Sequence, residues 1–321
     1  MLRFVARRVA TSILLLVATS VVVFFVLRLL PGDPVITSLG ASPGVDAKTI
    51  ARLRHEAGID RPIIAQYLTW LGNALHGDLG KSYFSQFPVS SLIRTRLAPT
   101  LELAFLGVLL SVILAVPGAL WAARHPRGVV DSGLDAFWTV SLSLPAFIAG
   151  IFLTYFLAVR TGLLPTRGYV PFVDSPSDNL RHFVLPALTL ALAGAPLLYR
   201  FLRASLLEEM NQSYVRTARG KGLTEGPVVL RHAFRNSLGP TLTMLGLIVG
   251  YTLGGAVIIE YVFGIPGLGS LAIESVLKRD YNILQSVVVL VSAAFIVTSL
   301  IVDVLYAALD PRHRLQTRSS Q

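Results

Sequence analysis

Six stretches of this chain are each about as long and as apolar as a helix must be to cross a bilayer, roughly 20 residues. They run from about Val9 to Leu30, Thr100 to Ala123, Phe137 to Val159, Phe183 to Leu202, Leu238 to Ile259 and Leu284 to Leu309. Backbone polar groups in hydrocarbon must be satisfied within the segment, so such stretches fold as helices. Only 14% of the 321 residues are charged, against about a quarter in soluble domains. The mean hydropathy is +0.65. The first stretch follows MLRFVARR and is longer than the apolar core of a signal peptide. LLPGDP follows it with no small-x-small cleavage site, so it reads as a retained first span.

Charge placement gives an orientation. The net charge is +10, but the basic residues flank apolar spans, which speaks against nucleic-acid binding. With the N-terminus inside, the cytoplasmic segments hold Arg3, Arg7 and Arg8, then Arg124 and Arg127, and last Arg312, Arg314 and Arg318. Between these come Arg200, Arg203, Arg216, Arg219, Lys221, Arg231 and Arg235. The opposite short loops hold fewer, namely Arg160, Arg167, Arg181, Lys278 and Arg279. The bias places both termini in the cytoplasm. The absence of cysteine excludes disulfides, thiol nucleophiles and Cys-ligated metals. The six histidines lie at no i, i+3 or i+4 spacing, so no metal site is expected.

The chain divides into residues 1–30, an outer segment 31–99, a five-span core 100–309 with a cytoplasmic loop 204–237, and a tail 310–321. In the outer segment Asp46 is placed to cap a helix reaching about Glu56. Pro62 is placed as the first residue of a second helix reaching about Leu75. The segment is too short for a large core and reads as a small helical cap. In the inner loop, Leu206, Met210, Tyr214 and Ala218 fall four apart and predict one continuous apolar stripe. Gly220 and Gly222 stop that helix, and Thr224 with Pro227 starts another. The product is a helical elbow at the membrane surface, fitted either to a protein partner or to anionic lipid.

EYVFGIPGLGS (Glu260–Ser270) joins the fifth and sixth spans on the outer face. Its Phe263 and Ile265 are apolar, and Pro266, Gly267 and Gly269 force a compact turn. It reads as part of an outer gate or as a tight, interfacially anchored loop. Gly246, Gly250 and Gly254 form a double G-x-x-x-G in the fifth span, a surface for close helix approach, either within the chain or against a second subunit. Arg28 and Glu102, near the outer ends of spans one and two, are placed to pair. Asp303 lies toward the inner end of span six. No chain of acids crosses the membrane. No phosphate-binding G-x-x-x-x-G-K-[ST] loop or H-E-x-x-H is present, and Ser141, Ser143 and Ser205 lack His–Asp partners.

Four ordered strings carry a family resemblance: LRLLPGDP (Leu27–Pro34), DRPIIAQYLTWLGNALHGDLGKS (Asp60–Ser82), EYVFGIPGLGS, and DVLYAALDPR (Asp303–Arg312). With RTARGKGL (Arg216–Leu223) they resemble the B-type permease subunit of bacterial dipeptide/oligopeptide and nickel ABC importers. Arg216, Thr217 and Ala218 stand where the general importer permease pattern has E-A-A, and Gly222 stands at its glycine. The acidic residue is absent, as is usual in the peptide branch, and the spacing from Gly222 to Pro240 is longer than the general pattern.

The resemblance implies an all-α integral membrane protein with six transmembrane helices in the type I ABC importer arrangement. It implies half of a peptide pathway in the bacterial cytoplasmic membrane. A homologous second permease, two cytoplasmic ATP-binding subunits and an extracytoplasmic binding protein are the implied partners. ATP and magnesium belong to the ATPase subunits, and the chain itself binds no cofactor and is no enzyme. Tyr214, Arg216, Thr217, Ala218, Lys221 and Gly222 are the implied ATPase-coupling residues. A nickel or other small-solute importer is the alternative within the class, and an ion-coupled secondary transporter the alternative outside it. An intramembrane enzyme would need paired catalytic groups that are missing.

Overall fold

The computed structural model describes residues 2–29, 46–56 and 58–309. Leu30–Pro34 of the first family string, Asp310–Arg312 of the last, and the tail 310–321 lie outside them. The described residues are nearly all helical. In chain order they form α1 (Leu2–Leu29), α2 (Ala47–Glu56), α3 (Ile63–Leu75), α4 (Val89–Arg124) and α5 (Val129–Ser143). Then come α6 (Ala146–Thr154), prolonged by a π-helical turn Tyr155–Val159, and α7 (Pro176–Met210). The remainder are α8 (Ser213–Gly220), α9 (Glu225–Phe263), α10 (Leu268–Lys278) and α11 (Tyr281–Leu309).

Among the described residues five helices, α1, α4, α7, α9 and α11, are long and apolar enough to cross a membrane. The third apolar stretch is not one span. It breaks at Leu144–Pro145 into α5 and α6, which meet at 104°. Pro145 has no N–H to continue the ladder, and Leu144 turns extended (φ −91°, ψ 129°). Counting that pair as one gives six. The sequence boundaries fell short because α4, α7 and α9 have 36, 35 and 39 residues. At 1.5 Å per residue each exceeds 50 Å, well beyond the ~30 Å hydrocarbon core.

α7 is the central helix. Its apolar window is 67% buried, against 11% for the peripheral α1. α4 packs along α7 most extensively, and α9 lies on α7. α11 lies on α9, and α1 covers α11. Small residues set the spacing. A Cβ on Gly107 of α4 would come within 3.0 Å of Leu190 on α7. One on Gly194 of α7 would reach 2.9 Å from Ser111 on α4. In lipid, such close approach holds helices together where no hydrophobic drive exists.

Both ends of the bundle are elaborated. At the cap end, Asp46 caps α2 as expected, with its Oδ1 accepting from Thr49 N at 2.8 Å. α3 begins at Ile63, with Pro62 just outside it. α3 is fastened to α1 by Ser20 Oγ and Tyr67 OH at 2.9 Å and by the packed rings of Phe24, Tyr67 and Trp70. The following turn, Gly80 to Val89, is closed by Val89 N donating to Gly80 O at 2.9 Å. At the elbow end, α7, α8 and the start of α9 fold against the end of α4 around one apolar cluster.

Candidate functional site

The elbow departs from the continuous stripe. α7 ends at Met210, Gln212 is extended, and α8 starts afresh at Ser213. Leu206, Met210 and Ala218 still share a single buried cluster, joined by Val215, Val228, Val229 and Ala233. The shared face survives because the break re-aims the helix onto α9. There Val228–Ala233 is π-helical. Tyr214 is a strut. Its hydroxyl donates to Glu209 and accepts from Asn236 Nδ2 at 2.8 Å, tying α7, α8 and α9. Burial, with the Glu209 carboxylate beside it, pushes the Tyr214 phenol above its ordinary value.

The six elbow residues named from the sequence therefore divide. Ala218 is 6% exposed and packs inward. Arg216, Thr217, Lys221 and Gly222 face outward. Gly220 ends α8, and Gly222 takes φ +84°, the left-handed region that favours glycine. Arg219 clasps Glu225 at 2.7 and 3.1 Å, closing the turn. Thr224 precedes α9 without a side-chain cap bond. Asp131, which no local sequence pattern announces, is 2% exposed. It accepts a two-pronged bond from Arg203 Nε and Nη2, both at 2.7 Å, and one from Arg127 N at 2.8 Å. It fastens α5 to α7 just above the elbow.

At the opposite end, EYVFGIPGLGS is not a free loop. Glu260 and Phe263 finish α9, and Gly264 closes it in the left-handed region. Leu268 opens α10, a helix the sequence did not suggest. Glu260 is fully buried. Its carboxylate accepts from Thr100 Oγ1 at 2.6 Å, Gly269 N at 2.7 Å and Ser270 N at 3.1 Å. Thr100 Oγ1 accepts in turn from Leu268 N at 2.8 Å. Free N–H groups of a helix start favour an anion; here the chain supplies its own. A Cβ on Gly267 would lie 2.3 Å from the Glu260 carboxylate, and one on Gly269 2.3 Å from Val257 Cα. Pro266 leads into this junction. The glycines serve close approach, and the cluster locks α4, α9 and α10 together.

α10 is fastened at its other end. Asp280 is 2% exposed and accepts from Ser82 Oγ at 2.5 Å. Asn282 Nδ2 donates to Lys81 O at 2.9 Å. The turn after α3 is thus bonded to the α10–α11 junction.

The glycine stripe also divides. Cβ atoms on Gly246 and Gly250 would lie 2.6 Å from Val302 and 2.0 Å from Phe295 of α11, so both serve packing within the chain. Gly254 meets nothing within 4 Å. Arg28 and Glu102 do not pair with each other. Arg28 Nε donates to Gln66 Oε1 at 3.2 Å, and Glu102 accepts from Asn179 Nδ2 at 3.1 Å. Asp303 pairs with Arg8 at 3.1 Å, joining α11 to α1. Among the described residues no group of His, Asp and Glu has the geometry of a metal site.

The comparisons with known proteins bear on this arrangement. Residues 115–315 match the family "Binding-protein-dependent transport system inner membrane component", and residues 1–104 match its N-terminal companion. The chain is 35% identical over 311 residues to the probable peptide ABC transporter permease protein y4tP of Sinorhizobium fredii, covering 97% of this chain and 99% of the relative. It is 38% identical over 314 residues to a putative peptide transport system permease protein of Brucella abortus (98% and 99% covered). It is 40% identical over 314 residues to the glutathione transport system permease protein GsiC of Escherichia coli (98% and 99% covered). Among solved structures, an inward-facing MetNI methionine ABC transporter superposes with a TM-score of 0.58 at 16% identity, covering 68% of this chain and 96% of that one. A second crystal form gives 0.56 at 17%, with the same coverage. These two likenesses speak to the fold.

Proposed function

The chain belongs to the inner-membrane-component family of binding-protein-dependent transport systems, as the permease of an ABC importer, and from that premise we propose that it carries peptides. Membership of the family implies ATPase subunits and a binding protein as partners; the permease itself is not catalytic. In this reading it forms half of a pathway through the bacterial cytoplasmic membrane, with a homologous permease as the other half. Both termini and the α8 elbow lie in the cytoplasm, and the cap of α2, α3 and the Gly80–Val89 turn receives the binding protein. ATP and magnesium are handled by two ATPase subunits, since this sequence has no phosphate-binding loop of its own.

One observation carries the reading: α8 presents Arg216, Thr217 and Lys221 outward while Val215 and Ala218 anchor it to α9. A short helix so anchored moves with its span as a rigid lever. Seated on an ATPase, it passes domain closure into α7 and α9. The far end of α9 reaches the Glu260 junction and α10, which we assign as the outer gate. Peptide as the cargo rests on the relatives' names, and glutathione, itself a peptide, lies within that class.

The test is affinity purification of the intact complex in mild detergent, with mass spectrometry of subunits and bound small molecules. The proposal expects two ATPase subunits, a second permease and peptides on the binding protein. Copurified nickel or another non-peptide solute would replace the cargo. Absence of any ATPase would overturn the proposal as a whole.

A further inference from the structure

α5 exposes two chemically different faces, and one of them does not suit lipid. At 3.6 residues per turn its side chains fall into three adjoining sectors. Asp131, Leu134, Trp138 and Ser141 point to the bundle; Trp138 is 4% exposed, and Ser141 Oγ donates to Leu192 O of α7 at 2.7 Å. That contact fixes the helix's rotation. A second sector, Val130, Phe137 and Val140, is 52–61% exposed and wholly apolar, as a lipid-facing surface should be. The third sector holds Ser132, Asp135, Thr139 and Ser143, all exposed, bordered by the exposed Leu142 and Ala136.

Two hydroxyls of this third sector are satisfied along the helix. Thr139 Oγ1 donates to Asp135 O at 2.6 Å, and Ser143 Oγ to Thr139 O at 2.9 Å. The charges are not so absorbed. Arg200 of α7 is exposed and donates one N–H, from Nη2, to Thr139 Oγ1 at 2.6 Å. A guanidinium has five donors, and no other bond to Arg200 occurs among the described residues. Asp131, about two turns before Thr139, is already engaged by Arg203, and among the described residues no ion pair joins Arg200 to Asp135. The sector ends at the 104° break, where Leu144 and Pro145 are exposed. A helix end leaves carbonyls without intrahelical partners. Non-helical backbone at membrane depth persists only in protein or against water.

We propose that the Ser132–Asp135–Thr139–Ser143 sector of α5, with Arg200, is a wall of the aqueous pathway. Arg200 meets the carboxylate of the passing substrate and Asp135 its ammonium group. This deepens, and rests on, the reading of the chain as a peptide permease. Guanidinium pairs with carboxylate through parallel N–H donors. Contacts that are few and partly solvated hold a substrate without trapping it.

The chain has no cysteine, so single cysteines report directly. Asp135→Cys, Thr139→Cys and Ser143→Cys would be compared with Val130→Cys and Val140→Cys in inverted membrane vesicles holding the full complex. The probe is a membrane-impermeant charged methanethiosulfonate. The polar-sector positions should react about tenfold faster or more, because thiolate chemistry needs water. Equal rates, or protection of the polar sector by a neighbouring subunit, would overturn the wall.

Peptide uptake then tests the contact. Arg200→Gln should lower uptake of a peptide with a free C-terminus by about tenfold, and that of its C-terminal amide little, with Arg200→Lys recovering part of the loss. Equal loss for both peptides would overturn the carboxylate contact. Fast labelling in a complex that moves no peptide would sustain the wall and sink the cargo instead.

Discussion

Glu260 shows how one buried side chain can act as a structural keystone. Its carboxylate receives Thr100 Oγ1, Gly269 N and Ser270 N while fully buried. Removing the carboxylate leaves those donors unpaired, at roughly 1–3 kcal/mol each. Glu260→Ala should therefore lower the melting temperature of the detergent-solubilised chain sharply. Glu260→Gln, which keeps one acceptor oxygen, should lower it less. Equal melting of the two variants would argue that the bonds carry little. The glycines of α9 give a second contrast. Gly250→Ala drives a Cβ into the Phe295 ring, whereas Gly254→Ala meets open space. Overpacking costs about 1–3 kcal/mol, so the first should destabilise the isolated chain and the second should leave its melting unchanged. A loss of permease pairing on Gly254→Leu would place that position against the second subunit.

Among the helices, α8 is where buried and exposed residues part company. Arg216→Glu reverses an exposed charge and should leave the chain's melting unchanged, surface substitutions lying within about 0.5 kcal/mol. If α8 seats on an ATPase, the same variant should cut ATP-driven uptake by about tenfold. Ala218→Glu buries a charge against Val228 and Val229 and should disorder the elbow itself. Limited proteolysis separates the two. Uptake insensitive to Arg216→Glu would count against a coupling role.

The elbow, its glycine stop and its shared apolar face were legible in the sequence because they follow helical spacing. The break at Gln212 was not, since Leu206, Met210 and Ala218 keep a common face across it. The break in the third span had a signal in Pro145, yet Pro99, Pro117, Pro186, Pro196 and Pro240 all sit inside continuing helices. Proline alone does not say which neighbour will restore the lost bond. α10 was hidden because its N-terminus is completed by Glu260 and Thr100, partners distant in the chain. The Asp131–Arg203 and Ser82–Asp280 bonds join residues 72 and 198 positions apart, and no local pattern announces such pairs.

At the scale of the whole molecule, the chain is a bundle with two worked ends joined by three helices longer than a bilayer is thick. α9 connects them directly: it begins beside α8 and carries Glu260 in its last turn. A push at the elbow therefore has an unbroken helical route to the opposite face, and the Asp131–Arg203 pair carries it to α5 as well. That mechanical continuity is what an ATP-driven permease requires and what an ion-coupled carrier does not. The decisive measurement is uptake of labelled peptide by proteoliposomes containing the complete complex and its binding protein. Uptake should require ATP, vanish when the partner ATPase is catalytically dead, and persist with an uncoupler present. Uptake that survives the dead ATPase but collapses with the uncoupler would contradict the account.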